Sequence, residues 1–204
     1  DSLMSEPRLG KAELYKKFNI SPSEKLVVCL FHPIHLRPDT AGEEMRNVLQ
    51  ALKKVGVQSI VIFPNNDAGN QKVIAQIQKY ARLSFIRAFP SLPHEDYVNL
   101  LRHADVFVGN SSGGIIETPT LKIPFVNIGD RQKARERSTN VIDVLPRQRE
   151  IAKAIEKSLY DKRFISRVKQ CVSPYGTGGA SKKIVSLLES VRLDSALLAK
   201  SVTY

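Results

Sequence analysis

The sequence predicts an α/β domain: a Rossmann-like, doubly wound parallel sheet with helices on both faces. Three observations lead there. Short apolar runs recur along the chain, each bounded by glycine, proline or small polar residues, as in strands buried on both faces. Between the runs lie stretches whose apolar residues repeat at i, i+3 and i+4, the spacing of a helix that buries one side. The alternation continues through most of the 204 residues, as it does when a helical crossover joins each parallel strand to the next.

The first strand is LVVCLF, residues 26–31, followed by His32 and Pro33 and a helix over 42–55. SIVIF, residues 59–63, is the second; the turn FPNNDAG leads from it into a helix over 68–81. LSFIRAF, residues 83–89, is the third, and FPSLPHEDY carries the chain into a helix over 95–103. DVFVG, residues 105–109, runs into Asn110, Ser111, Ser112, Gly113 and Gly114 and a helix over 114–121. PFVNIG, residues 124–129, is the fifth strand, and VIDV, residues 141–144, the sixth. Terminal helices are expected over 147–160, 164–172 and 180–192. One domain therefore covers 1–193, with 194–204 as a tail.

Composition narrows the class. With 42% hydrophobic and 25% charged residues the chain can bury one sizeable core. No apolar run approaches the ~20 residues that span a bilayer, so no membrane association is expected. The N-terminal stretch DSLMSEPRLGKAELYKKF has neither an initiator methionine nor the apolar core of a signal peptide, and is expected to begin a mature product, a fragment or an excised domain. Cys29 and Cys171 lack C-x-x-C or histidine spacing and read as reduced thiols of a cytoplasmic protein. The net charge of +11 suits anionic ligands. Most basic residues are scattered along helices as solvated faces, and no nucleic-acid-binding signature accompanies them. The dense cluster Arg131, Lys133, Arg135 and Arg137 directly follows a strand and reads as part of a ligand site.

Candidate site residues gather at strand C-termini, where open α/β sheets bind ligands. Ser111 and Ser112 either cap a helix, with Gly113 and Gly114 there for tight packing, or donate to an anion held at its N-terminus, with the glycines letting the backbone approach. Glu117 either favours the helix start electrostatically or accepts ribose hydroxyls. Arg131 offers a planar fork to phosphate oxygens. His32 is structural or a donor to a leaving group. Asn65, Asn66 and Asp67 cap a helix or reach the ligand, and Ser91 and Leu92 turn the chain or set backbone amides against a base.

GNSSGGIIE, VNIGDRQKARER and NVIDV, with FHP, FPNNDAG and PYGTGGAS in the same order, resemble the C-terminal half of hydrolysing UDP-N-acetylglucosamine 2-epimerases. Those enzymes are similar to GT-B glycosyltransferases, with two Rossmann-like domains around a UDP cleft. The resemblance implies that Ser111 and Ser112 contact the pyrophosphate, Glu117 the ribose, Leu92 the uracil through its backbone, and that His32, Asn65 and Arg131 lie against the nucleotide, with His32 on the leaving-group side. It implies UDP and UDP-N-acetylglucosamine as ligands, and conversion to N-acetylmannosamine plus UDP in sialic-acid-type sugar synthesis. It further implies a homo-oligomeric full-length enzyme, and neither metal nor other cofactor. In that family the carboxylates proposed as acid and base lie mostly in the N-terminal domain, for which this sequence has no counterpart, so the resemblance implies that the chain alone is inactive. Ser173 and Thr177 stand where the family's late NPYGDG motif has Asn and Asp. A UDP-sugar-dependent GT-B glycosyltransferase and a non-catalytic nucleotide-sugar-binding module are the alternatives.

Overall fold

The computed structural model describes residues 2–199. Helices α1 (Ser2–Ser5) and α2 (Lys11–Lys17) precede the sheet. Then come β1 (Val27–Leu30), α3 (Ala41–Val55), β2 (Ser59–Ile62), α4 (Asn70–Tyr80), β3 (Ile86–Phe89), α5 (His94–His103) and β4 (Val106–Gly109). Helices α6 (Ser112–Ile116) and α7 (Thr118–Leu121) lead to β5 (Phe125–Ile128) and β6 (Val141–Val144). Helices α8 (Gln148–Tyr160), α9 (Lys162–Lys169), α10 (Ala180–Ser190) and α11 (Ser195–Leu198) follow. No helix among the described residues is long and apolar enough to cross a membrane.

The six strands form one parallel sheet in the order β3-β2-β1-β4-β5-β6. The chain steps outward from β1 to β3, then returns to the far side of β1 as β4. That reversal opens a crevice beyond the C-termini of β1 and β4, where the crossovers leave in opposite directions. Alternate strand residues feed two cores, because side chains point to opposite faces. Val27, Cys29, Val61, Val108 and Val126 pack with α3, α4 and α8, whereas Val28, Ile60, Phe107 and Phe125 pack with α2, α5 and α6. The sheet is thus doubly wound, as the alternating pattern predicts.

Local chemistry explains the elements. In α3 the buried residues Ala41, Met45, Val48, Leu49 and Leu52 form one stripe. Glu43 and Glu44 sit at its positive end and Lys53 and Lys54 at its negative end. Gly56 ends it at φ 70°, donating its N–H to the Leu52 carbonyl. Gly109 closes β4 at φ 143°, and a Cβ there would lie 1.9 Å from the Leu30 carbonyl oxygen. Only glycine lets β4 run this close to β1 at the mouth of the crevice.

Three expectations are corrected. The single helix over 114–121 is broken at Glu117, because Pro119, in the first turn of α7, has no N–H to continue the ladder from α6. The helix over 164–172 stops at Lys169, leaving Cys171 buried just beyond it. The strand over 83–89 begins only at Ile86, its first three residues lying in a turn. Before β1 the chain also forms α2, whose Leu14 and Tyr15 enter the second core. Both cysteines are free and buried, and burial pushes the Cys29 thiol up to about 12. Of the expected tail, Ser195–Leu198 is helical, and residues 200–204 lie outside the described residues. Helix α10 has no buried residue, and Ile184, Val185, Leu187 and Leu188 are exposed on it.

Candidate functional site

Asn110, the first residue beyond β4, joins three strand ends. Its side-chain amide faces the backbone of His32 beyond β1: His32 N–H donates to Asn110 Oδ1 at 2.7 Å, and Asn110 Nδ2 donates to the His32 carbonyl at 2.8 Å. This pair continues the β1/β4 ladder past its last backbone bond. The Asn110 carbonyl in turn accepts from Gln132 Nε2 at 2.9 Å and Arg131 Nη1 at 3.3 Å, both beyond β5. Asn110 and Gln132 are almost fully buried, so these bonds satisfy groups that water cannot reach.

The same network sets the state of His32. Asn65 N–H, beyond β2, donates to His32 Nδ1 at 3.1 Å, which leaves the ring proton on Nε2. Burial, followed by the nearby Arg131 cation, pulls the imidazole down to about 4. At neutral pH His32 is therefore a neutral donor through Nε2–H. Asn65 Nδ2 also donates to Asp67 Oδ2 at 2.7 Å, and Asp67 lies 3.8 Å from Arg131 Nη2. The helix-cap reading of residues 65–67 does not hold, since Gly69 caps α4 without any side-chain bond. Asp67 instead spans the crevice toward Arg131.

The basic loop divides its labour. Arg131 is three-quarters buried and turns toward Asn110 and Asp67. Arg137 serves the loop itself: it donates to the carbonyls of Gln132, Lys133 and Arg135 and pairs with Asp143. Lys133 and Arg137 line a separate cavity of about 580 Å³ with Ile34, Arg37 and Leu145. Only Arg131 of the predicted cluster joins the His32 network through a described bond.

At the turn itself, Ser111 is the N-cap of α6 and its Oγ accepts from Gly113 N–H at 3.3 Å. The cap reading is correct for Ser111, and its hydroxyl proton stays available to a second acceptor. Ser112 follows half-buried in the first turn. Helix α6 has five residues, too few to sum a large dipole, so an anion here meets individual N–H and O–H donors. The two glycines serve internal packing. A Cβ on Gly114 would lie 2.3 Å from the Phe125 ring, and one on Gly113 would lie 2.8 Å from Tyr97 Oη and 2.9 Å from Glu117 Oε2.

Glu117 stands at the α6/α7 break, where Tyr97 Oη donates to its Oε2 at 2.9 Å. Burial raises its pKa against the opposing pull of Tyr97 and His94. Tyr97 and His94 belong to α5, which begins two residues after Leu92, so one helix links the proposed ribose and base contacts. Leu92 packs its side chain on the second core, and its backbone N–H and C=O have no internal hydrogen bond among the described residues. Glu117 and His94 also line a cleft of about 440 Å³ with Ser173, Tyr175 and Lys183. The altered late motif thus lies beside Glu117, tied to the basic loop by Tyr175 Oη donating to the Glu136 carbonyl at 3.0 Å.

His32, Asn65, Arg131 and, through Asn110, Ser111 thus come together at the β1/β4 crevice, with Glu117 and Leu92 along α5. Sequence reasoning missed Asn110, Gln132 and Tyr97 as its supports, and named Asp67 without its partner Arg131. Residues 2–189 match the sequence profile of the family described as UDP-N-acetylglucosamine 2-epimerase. The chain belongs to that family. All 204 residues align at 29% identity with 53% of a UDP-N,N'-diacetylbacillosamine 2-epimerase (hydrolyzing) of Legionella pneumophila. A UDP-N-acetylglucosamine 2-epimerase of Neisseria meningitidis is 34% identical over 76% of this chain and 41% of its own length. The fold is similar to a crystal structure of the Neisseria meningitidis UDP-GlcNAc 2-epimerase bound to UDP-GlcNAc, with TM-score 0.71 and 17% identity over 89% of this chain and 49% of that one. The chain spans about half the length of the relatives it matches.

Proposed function

We propose that this chain is the nucleotide-binding half of a hydrolysing UDP-N-acetylglucosamine 2-epimerase, with UDP lying across the β1/β4 crevice. The bonded cluster of His32, Asn65, Asn110 and Arg131 at the switch point supports this most directly. In this reading Ser111, Ser112 and Arg131 serve the diphosphate, Glu117 accepts ribose hydroxyls, and the free backbone groups of Leu92 meet the uracil edge. The reaction is loss of the sugar C2 proton and of UDP to leave a 2-acetamidoglucal. Water then adds across that double bond to give N-acetylmannosamine. As the C1–O bond breaks, charge collects on the departing diphosphate, and Arg131 and the His32 Nε2–H are the groups placed to offset it. His32 acts as a neutral donor rather than as a cation.

The proton-transferring groups belong, on this proposal, to the further half that the relatives' length contains. The chain alone then binds UDP without turning over UDP-N-acetylglucosamine. A place in sialic-acid-type sugar synthesis, a cytoplasmic setting supported by the two free buried thiols, and a homo-oligomeric full-length enzyme complete the reading. The name of the Legionella relative favours a second version in which the sugar carries two acetamido groups.

Calorimetric titration tests the site. UDP should bind the chain, and Arg131→Ala and Glu117→Ala should each weaken it by about tenfold or more, the loss of a charged hydrogen-bond partner. Unchanged affinity in both variants refutes the assignment. Release of N-acetylmannosamine by the chain alone refutes the division of labour.

A further inference from the structure

We infer that Tyr97 is a positioning residue for nucleotide recognition: its hydroxyl fixes the Glu117 carboxylate so that one oxygen is held and the other is presented to the ligand. The inference rests on the proposed role of Glu117 at the ribose, and extends it to a residue on a different element. Tyr97 Oη donates to Glu117 Oε2 at 2.9 Å across the gap between α5 and the α6/α7 break. Glu117 sits where regular helical structure is interrupted, so its backbone alone does not lock its side-chain torsions. A single strong donor from a partly buried ring supplies that restraint, and hydrogen bonds to a charged acceptor are the stronger kind.

Gly113 is the independent sign that the pair is built in. Its φ is not positive, so backbone conformation does not require glycine, and glycine disfavours a helix. What requires it is space. The volume a Cβ would occupy is taken by Tyr97 Oη and Glu117 Oε2, atoms of this chain and of this hydrogen bond. A larger residue at 113 displaces the end of one or both of these side chains. Burial supports the arrangement: it raises the pKa of both groups, and a carboxylate held charged in such a place gains from a donor that stays protonated. The ring packs on the second core, so the hydroxyl is aimed by a rigid platform.

The test compares the affinities of UDP and 2′-deoxy-UDP for this chain, read by titration calorimetry, with melting curves on every variant. Wild type should prefer UDP by about tenfold, the size of one hydrogen bond to a charged acceptor. Glu117→Ala should bring the two ligands level. Tyr97→Phe keeps the ring in the core and should reduce the preference by about threefold or more; Gly113→Ala, which disturbs the pair from the other side, should do the same. If Glu117→Ala removes the preference while natively melting Tyr97→Phe and Gly113→Ala keep it whole, the inference is overturned and the ribose role of Glu117 stands. If Glu117→Ala retains the preference, or wild type has none, the ribose role itself fails.

Discussion

Lowering the pH from about 7.5 to 4.5 carries residue 32 of the unfolded chain through the ordinary histidine value near 6.5, whereas burial and Arg131 hold the folded ring down to about 4. Between those two values the unfolded state binds a proton that the folded state refuses. The sign follows: stability is fully present above about pH 6.5 and is lost progressively as pH falls toward 4. The fall from 6.5 to about 4 amounts to at most ~3.5 kcal/mol at ~1.4 kcal/mol per pH unit. That is a sizeable share of the ~5–15 kcal/mol that holds an ordinary domain folded. Urea unfolding across this range, on wild type and on His32→Asn, isolates the contribution, because carboxylate effects are common to both. Long-range proton–nitrogen NMR on wild type should find Nδ1 unprotonated and Nε2 protonated at neutral pH, as the Asn65 N–H bond requires. The reasoning fails if His32 titrates near 6.5, if its proton resides on Nδ1, or if His32→Asn loses as much stability on acidification as wild type.

Two further outcomes follow from the same geometry. Glu117→Gln should melt higher than wild type near neutral pH and match it below the ordinary carboxylate value of 4.5; burial raises the folded pKa, so the wild-type charge penalty grows as pH rises through that window. Equal melting at both pH values would show the carboxylate to be solvated. Asn110→Ala removes both side-chain bonds to the His32 backbone and should cost about 2 kcal/mol or more by urea midpoint, since a half-buried N–H and C=O lose their partners. It should also weaken UDP by loosening His32 and Arg131 together, and a variant with wild-type affinity would remove Asn110 from the site.

Particular residues show what could be read in advance. The six strands were legible because each is a short apolar run stopped by a turn former, and ends such as Leu26 and Phe31 differ by a residue only because pairing stops before burial does. The positions of Glu117 in the helical stretch after β4 and of Arg131 just beyond β5 were legible from the turns that precede them. The glycines of the turn left two readings open, tight packing or close approach of a ligand: a sequence shows that residue 113 or 114 lacks a side chain, but not whether the space is filled by a ligand, by Phe125 or by Tyr97. Asn110 and Gln132 look like ordinary loop residues, since their meaning lies in partners far along the chain at His32 and back at Asn110 itself. Arg137 looked like a ligand contact for the same reason, before its bonds to its own loop were known.

By itself the sequence determined the class of fold, the strand ends at which the candidate residues gather, and the family motifs, because periodicity and turn chemistry are local properties written in neighbouring residues. Tertiary structure decided the rest. The order β3-β2-β1-β4-β5-β6 sets β4 against β1 and so brings Asn110 to His32, while β2 beside β1 brings Asn65 to His32 and β5 beside β4 brings Arg131 and Gln132 to the Asn110 carbonyl. Ionisation states were decided there too: a histidine becomes a neutral donor, and a carboxylate is held by a tyrosine, when burial removes the water that would otherwise have set both.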